Sequence, residues 1–284
     1  MHESSQSIFM IGSGNLATHL AEALRAAGHR MMGVYSRTEK HAQRLADTLQ
    51  CPAFTSLKNV PEADVYVFAV KDDALPGLIS ELVSPPQALL LHTAGSVPME
   101  VFKGRAERYG VLYPLQTFSR ERAVCFREIP CFIEASTQEA LQALKRLAET
   151  VSGRVEVLDS EKRRHLHLSA VFACNFVNHC YDVAWQLLQE QQLDPSALLP
   201  LIDETARKVH NLTPAEAQTG PAVRWDTSVM NRHLSLLGEG SHACSLYRLM
   251  SEGIHAMAEA RAAGEPLQGL DASSEKTNSI YDKL

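Results

Sequence analysis

The chain has 284 residues, of which 45% are hydrophobic and 21% are charged, and this length predicts roughly two domains. Its 27 basic and 33 acidic residues give a formal net charge of −6, which does not favour a nucleic-acid partner. The N-terminus lacks an apolar signal-peptide core, the apolar runs are too short to span a membrane, and the six cysteines lack the spacing of a zinc site. We therefore expect a cytoplasmic protein with no membrane partner and no bound metal.

Short apolar runs alternate with amphipathic stretches over the first half of the chain. Apolar runs that predict strands cover residues 7–14, 31–36, 64–70, 88–95, 109–114, 130–135 and 155–160. Helical periodicity covers residues 15–28 and 39–49, and a third helix is predicted to begin near Asp73. Strands of this size that alternate with helices predict a mostly parallel sheet that is buried on both faces. We expect an α/β domain over residues 1–158.

The second half of the chain has the composition of helices. Residues 161–192 contain neither Gly nor Pro, which permits one long helix, and further helices are predicted over residues 195–209 and 243–263. We expect an all-α domain over residues 159–264 that contributes to the substrate site and forms a homodimer. Residues 265–284 are polar and are predicted to be a tail outside both domains.

The strongest motif joins the first predicted strand to the first predicted helix. It reads Gly12-Ser13-Gly14-Asn15-Leu16-Ala17, a G-x-G-x-x-A pattern. Gly12 permits the tight turn, Gly14 lets a pyrophosphate approach the backbone, and the small Ala17 allows close packing of helix on strand. The free amides at the helix N-terminus then bind the phosphates. Glycines also serve ordinary turns, but the strand before the motif and the helix after it favour a Rossmann-type nucleotide site.

The end of the second predicted strand indicates which nucleotide is bound. NAD sites carry an acid there that accepts hydrogen bonds from the ribose hydroxyls. This chain has Ser36-Arg37-Thr38 at that position, and a guanidinium with two hydroxyls suits the 2′-phosphate of NADP. The alternative is that Arg37 is a solvent-facing loop residue. The missing acid also disfavours a methyltransferase.

A line of polar residues follows one side of the predicted long helix. His167, Asn175 and Asn178 fall on one face about 100° wide, and the residues around them are mostly apolar, so we expect this helix to face a core. Buried polar groups need hydrogen-bond partners. These three side chains therefore either bond to neighbouring backbone or across a dimer interface, or they line a substrate pocket.

Several segments together resemble a known group of enzymes. The glycine turn, the Ser-Arg-Thr segment and FAVKDDAL (residues 68–75) are similar to the NADP-dependent family that includes pyrroline-5-carboxylate reductase, ketopantoate reductase and 6-phosphogluconate dehydrogenase. The blocks LHTAGSVPMEV, YPLQTFS, HLSAVFACNFVNH and AQTGPAVR more specifically resemble bacterial Rossmann-like NADP oxidoreductases whose second half is a helical domain of unknown function. The similarity extends from about Ile8 to about Ala260.

The resemblance implies the positions of further site residues. Ala69, Val70 and Lys71 are expected to line the cofactor, and Thr93, Ala94 and Gly95 to lie near the nicotinamide. Gln116 and Thr117 belong to a segment, residues 113–117, that corresponds to the substrate-side segment of pyrroline-5-carboxylate reductase. All these segments follow strands, and ligands of open α/β sheets bind beyond the carboxyl ends of the strands.

The chain departs from the related dehydrogenases at the proton donor. Ketopantoate reductase and the hydroxyacid dehydrogenases use a helix lysine, but no lysine occurs between Lys162 and Lys208. Histidine can give a proton near neutral pH, so His167 is the predicted acid, and Asn175 and Asn178 are predicted to orient a small carbonyl or imine substrate. Arg224 is predicted to hold a substrate anion, with an Arg–Asp surface pair as the alternative. The missing lysine also leaves open a non-catalytic NADP(H) sensor.

Overall fold

The computed structural model describes residues 5–264 and contains one eight-stranded sheet. The order of the strands across the sheet is β3-β2-β1-β4-β5-β6-β7-β8. The strands are β1 (Ser7–Ile11), β2 (Arg30–Tyr35), β3 (Ala53–Phe54), β4 (Val65–Phe68), β5 (Leu89–His92), β6 (Arg108–Pro114), β7 (Cys131–Ala135) and β8 (Val155–Val157).

Four α-helices connect these strands and cover the two faces of the sheet, and a fifth follows β8. Helix α1 buries Ala17, Leu20, Ala21 and Leu24, the spacing of one helix face. Successive strand residues serve opposite faces: Ile8 and Met10 belong to one core, whereas Phe9 and Ile11 belong to the other. The helices are α1 (Asn15–Ala26), α2 (Glu39–Leu49), α3 (Leu75–Glu81), α4 (Gln138–Val151) and α5 (Ser160–Ala170).

The sheet is parallel except between β6 and β7. Residues 115–130, which connect these two strands, contain no α-helix and only a short 3₁₀ turn (Phe126–Glu128). A parallel pair needs a crossover that is usually helical, whereas an antiparallel pair does not. Because β6 is parallel to β5, its carboxyl end lies at the same edge of the sheet as the carboxyl ends of the other parallel strands. The connection begins at that edge, which is where ligands of such sheets bind.

The described chain divides into two compact units between Asn178 and His179. The second unit is helical and confirms the predicted order of an α/β region followed by a helical region. Its residues form most of α6 (Val177–Glu190), together with α7 (Leu199–Lys208), α8 (Pro214–Ala217), α9 (Thr227–Leu237) and α10 (His242–Ala262). The predicted domain limits at 158/159 and 264/265 stay predictions, and the predicted tail (265–284) lies outside the described residues.

The helical stretch that begins at Ser160 is not uniformly α-helical. Residues Val171–Phe176 form a π-helical turn between α5 and α6. The predicted polar face assumed about 3.6 residues per turn throughout, and the wider turn changes the direction of the side chains that follow it. A π turn inside an α-helix is often found at a functional site.

The expectation that this helix faces a core is wrong for the described chain. The side chains of Leu168, Phe172 and Phe176 are 54%, 53% and 50% exposed, and Asn175 and Asn178 are exposed as well. Apolar composition alone does not tell a buried helix from one with an uncovered apolar side, since both carry the same residue types. The two asparagines can bond to water and do not need a protein partner.

No helix of the described chain is both long enough and apolar enough to span a membrane.

Candidate cofactor and substrate site

The turn after β1 is built around two glycines with different constraints. Gly12 has φ = +120°, and a β-carbon there would lie 2.1 Å from the carbonyl oxygen of Ala69. Its amide donates to the carbonyl of Tyr35 at 2.8 Å. Gly14 has an ordinary φ of −75° and caps α1, with nothing within 4 Å of its β-position. The first glycine is therefore required by the protein's own backbone, while the second leaves open space in front of a helix N-terminus.

The residues of this turn line a cavity of about 580 Å³, which is named here the glycine-loop cavity. The predicted cofactor residues line it, apart from Thr38, whose backbone caps α2 instead. Those that line it are Gly12, Ser13, Gly14, Asn15, Leu16, Ser36, Arg37, Ala69, Val70, Lys71, Thr93, Ala94 and Gly95. The lining also includes His41, Tyr113 and Arg120, which the sequence did not predict as cofactor ligands.

The charge around the glycine-loop cavity is mainly positive. Arg37, Lys71 and Arg120 line it, and among the described residues that do so Asp72 is the sole carboxylate. The Asp72 carboxylate accepts a hydrogen bond from the Ser96 hydroxyl. An open glycine turn at a helix N-terminus with three cations beside it fits a dinucleotide that carries several phosphates.

At the side of the cavity formed after β5, the ring of His167 packs against Gly95. A β-carbon on Gly95 would lie 2.6 Å from the imidazole Cγ and Nδ1. Nδ1 of His167 shares a hydrogen bond of 3.0 Å with the hydroxyl of Tyr113, and the two rings are nearly perpendicular. Tyr113 is only 8% exposed. Burial raises the pKa of its phenol, and the nearby Arg163 guanidinium opposes that shift.

A buried ion pair lies close enough to Tyr113 to affect its pKa. Arg163, which is one turn before His167 in α5, is 0% exposed and contacts Glu134 with an N–O distance of 2.6 Å. It also donates to the carbonyl of Val97 at 2.7 Å. His92 at the end of β5 is fully buried, and burial together with Arg163 lowers its pKa to about 3. His92 is therefore neutral at physiological pH and does not line any of the three cavities described here.

The connection between β6 and β7 contacts the glycine turn directly. Arg120 donates from Nη2 to the carbonyl of Ser13 at 2.9 Å. Asn15 donates from Nδ2 to the carbonyl of Phe118 at 2.8 Å, and the ring of His19 stacks on Phe118. No periodicity or motif in the sequence signals these contacts, because they join residues about 100 positions apart. They make one connection contribute both to the glycine-loop cavity and to the cavities beside it.

Two further cavities share lining residues with the first or with each other. The middle cavity, of about 560 Å³, shares Tyr113 and His167 with the glycine-loop cavity and adds Gln116, Thr117 and Asn175. The outer cavity, of about 670 Å³, shares Gln116, Thr117 and Asn175 with the middle one and adds Asn178 and Arg122. The predicted catalytic and substrate residues of the first unit thus line cavities that overlap in their lining, and one of these residues, His167, also lines the predicted cofactor cavity.

Arg224 belongs to the second unit and does not line the three cavities of the first unit. It is exposed, in a turn before α9. The alternative of an ion pair with Asp226 does not occur: the Asp226 carboxylate caps α9 by accepting from the amide of Val229. Its predicted role in binding a substrate anion stays a prediction.

Two family models match the sequence. Residues 7–94 match the model described as NADP oxidoreductase, coenzyme F420-dependent, and residues 129–254 match a domain of unknown function, DUF2520. The first match covers the glycine turn and the strand ends that line the glycine-loop cavity. The second includes His167, Asn175 and Asn178. No curated protein matches the sequence at a significant level.

Solved structures match most of the chain. A crystal structure described as a "putative NADP oxidoreductase" from Bacteroides fragilis is 48% identical, covers 89% of this chain and 98% of its own, and has a TM-score of 0.84. A protein from Thermotoga maritima is 24% identical with a TM-score of 0.72, over 89% of this chain and 99% of its own. A pyrroline-5-carboxylate reductase from Streptococcus pyogenes shares the fold at 12% identity, with a TM-score of 0.57 over 89% of this chain and 99% of its own.

Proposed function

This chain belongs to the family of Rossmann-like NADP oxidoreductases that carry a C-terminal DUF2520 domain, and we propose that it uses NADP(H) to interconvert a small carbonyl or imine compound with its reduced form. The observation that carries the proposal is that the glycine-loop cavity and the middle cavity are both lined by Tyr113 and His167. A cofactor and a substrate that occupied these two cavities would meet beside an acid–base side chain.

The choice of NADP over NAD is supported by the end of β2. Ser36 and Arg37 line the glycine-loop cavity there, and His41, which also lines it, lies in the first turn of α2. No carboxylate of β2 or of its following turn lines the cavity to accept from a ribose diol. A guanidinium can bind a phosphate with two parallel hydrogen bonds. We assign the 2′-phosphate to Arg37 and Ser36.

The remaining cofactor contacts follow from the same lining. The amides at the start of α1 would hold the pyrophosphate, with Lys71 and Arg120 as the nearby cations, and Thr93, Ala94 and Gly95 would border the nicotinamide. When bound, the nicotinamide supplies or accepts the hydride. The chain's own residues must supply the proton, orient the substrate and keep water away from the reacting atoms.

His167 is the proposed proton donor to a carbonyl oxygen or imine nitrogen. It lines both cavities and is fixed by Gly95 on one side and by the Tyr113 hydroxyl on the other. A fixed donor costs less reorganisation than a mobile one when charge develops on the substrate. Asn175, Gln116 and Thr117 are proposed to hold the polar groups of the substrate in the middle cavity, and Asn178 those that reach the outer cavity.

Titration of the protein with NADPH and then NADH, followed by nicotinamide fluorescence, tests the cofactor. Micromolar binding of NADPH, clearly tighter than that of NADH, is the expected result, and a screen of carbonyl and imine compounds for NADPH oxidation tests the reaction. Failure to bind either nucleotide would contradict the proposal. Tight NADPH binding without turnover of any compound would instead favour a non-catalytic binding module. The expected homodimer and cytoplasmic location stay predictions.

A further inference from the structure

The hydrogen bond between Tyr113 and His167 determines which imidazole nitrogen is available to a ligand. Nδ1 of His167 is 3.0 Å from the Tyr113 hydroxyl. Nε2 has no partner among the described residues, although the ring lines the glycine-loop and middle cavities. Nε2 is therefore the nitrogen that can meet a substrate.

The direction of this hydrogen bond follows from burial. The Tyr113 side chain is almost completely buried, and burial raises the pKa of its phenol, so the hydroxyl keeps its proton. A buried hydroxyl needs an acceptor, and Nδ1 is the acceptor at hydrogen-bond distance. When the hydroxyl donates to Nδ1 of a neutral imidazole, the imidazole proton is on Nε2.

A neutral imidazole that gives up its Nε2 proton must receive another at Nδ1. Tyr113 is placed to provide it, and Arg163 is the buried cation close enough to lower the energy of the resulting tyrosinate. Arg163 is already paired with Glu134, so Tyr113 is influenced by a cation together with its counter-ion. The neutral His92 lies at the end of β5. The other charged or titratable groups in the lining are Tyr35, Arg37, His41, Lys71, Asp72 and Arg120 in the glycine-loop cavity and Cys174 in the middle cavity.

We propose that Tyr113 is the proton source behind His167, so that neutral His167 relays a proton from the Tyr113 hydroxyl to the substrate. The inference rests on the proposed function. In the reductive direction the substrate carbon gains a hydride, and the electron pair of the C=O or C=N π bond moves to the heteroatom. That heteroatom takes the proton from Nε2 while Nδ1 takes the proton from the phenol. Tyr113 is left as tyrosinate, and His167 is neutral with its proton on Nδ1. After product leaves, water protonates Nε2 while Nδ1 returns its proton to the tyrosinate, which restores the starting tautomer and releases hydroxide to the solvent.

Nitrogen NMR of protein with ¹⁵N-labelled histidine tests the relay without any substrate. His167 in the wild type is expected to show one protonated nitrogen, Nε2, and one acceptor nitrogen, Nδ1. Tyr113→Phe keeps the ring and removes the donor, so the two tautomers of His167 are expected to mix. His165 is the matched control because it is on the same helix, exposed and free of the Tyr113 contact. Its signals should be the same in wild type and Tyr113→Phe.

The ionisation of Tyr113 gives a second readout, because it reports on proton sharing between Tyr113 and His167 and not on the stability of the fold. With tyrosine labelled at Cζ, raising the pH should ionise Tyr113 with a midpoint that appears also at the His167 nitrogens and not at His165. A proton on Nδ1 of neutral His167 in the wild type, or alkaline midpoints that differ between Tyr113 and His167, would overturn the relay. These spectra are recorded on the free protein and again with NADPH. Failure of NADPH to bind would overturn the proposed function, whereas the free-protein spectra decide the tautomer independently.

Discussion

The imidazole of His167 and the backbone of Gly95 are in contact, and the contact leaves no room for a side chain at position 95. A β-carbon there would lie 2.6 Å from two ring atoms and 2.9 Å from the Cβ of His167. Gly95 follows β5, while His167 is in α5. Glycine at this position therefore lets α5 bring a histidine to the carboxyl end of the sheet.

Gly95→Ala is expected to displace His167 and to break its hydrogen bond with Tyr113. The ring has to move because the new methyl group would overlap it, and overpacking of this kind costs about 1–3 kcal/mol. We expect the His167 nitrogen signals to change to those of mixed tautomers and NADPH oxidation to slow about 100-fold or more, the scale of a lost acid–base contribution.

Gly77→Ala is the matched control for that experiment. Gly77 lies in α3 with nothing within 4 Å of its β-position, so alanine there should be neutral or stabilising by roughly 0.5–1 kcal/mol. Unchanged His167 signals in Gly95→Ala would show that the contact does not hold the ring.

Alanine at the two glycines of the turn should separate folding from cofactor binding. Gly12→Ala places a β-carbon against the Ala69 carbonyl at a φ that L-residues rarely adopt, and we expect a loss of at least about 3 kcal/mol of unfolding free energy. Gly14→Ala meets no protein atom within 4 Å, so the melting temperature should hold while NADPH affinity falls. Equal melting temperatures for the two variants would contradict this account, as would Gly14→Ala with wild-type affinity.

Arg37→Ala should weaken NADPH much more than NADH. Charge-assisted hydrogen bonds contribute roughly 1.5–3 kcal/mol, which corresponds to a loss of about 10-fold to 100-fold for NADPH, while NADH lacks the phosphate that Arg37 would bind. Lys40→Ala removes a neighbouring exposed cation that does not line the cavity and serves as the control. The two nucleotides are compared by fluorescence titration. Parallel losses for NADPH and NADH would remove Arg37 from the 2′-phosphate site.

The parts of the site that the sequence predicted are those that depend on local chain order. The glycine turn, the residues after β4 and the residues after β5 were found because parallel strands end at one edge of a sheet. Residues 12–17, 69–71 and 93–95 accordingly line one cavity. The α/β and helical regions were predicted by the same local patterns and are confirmed by the structure and by the family comparisons.

The parts that the sequence did not predict depend on contacts between distant segments. Arg120 reaches the cavity because residues 115–130 fold back over α1, and nothing near Arg120 in the sequence indicates that path. The pairing of Tyr113 with His167 joins a strand to a helix 54 positions later. The π turn at Val171–Phe176 has no composition that separates it from the α-helix on either side.

Arg163→Met should destabilise the fold strongly. Arg163 is 0% exposed, and its loss leaves the Glu134 carboxylate buried without its cation, a change that costs about 3–5 kcal/mol. Arg207→Met is the control: it removes an exposed ion pair with Asp203 and should change stability by less than about 1 kcal/mol. Denaturant unfolding measures both. Similar small losses in the two variants would mean that Glu134 finds another partner or takes up a proton at little cost.

His92 should make the protein less stable as the pH falls below neutrality. Burial lowers its pKa to about 3 in the folded protein, while a histidine in the unfolded chain has a pKa of about 6.5. The unfolded state therefore binds more protons between these two values, and stability is present above about pH 6.5 and is lost as the pH drops towards 3, by at most about 1.4 kcal/mol per pH unit.

His92→Asn should remove this slope. Its side-chain oxygen can replace Nδ1 as acceptor for the Ala94 amide and does not titrate in this range. His41→Asn, at an exposed position of α2, should leave the slope in place. Urea unfolding at about pH 7 and about pH 5 compares the three proteins. If wild type and His92→Asn lose the same free energy of unfolding between those pH values, protonation of other groups governs the acid sensitivity and His92 is not its source.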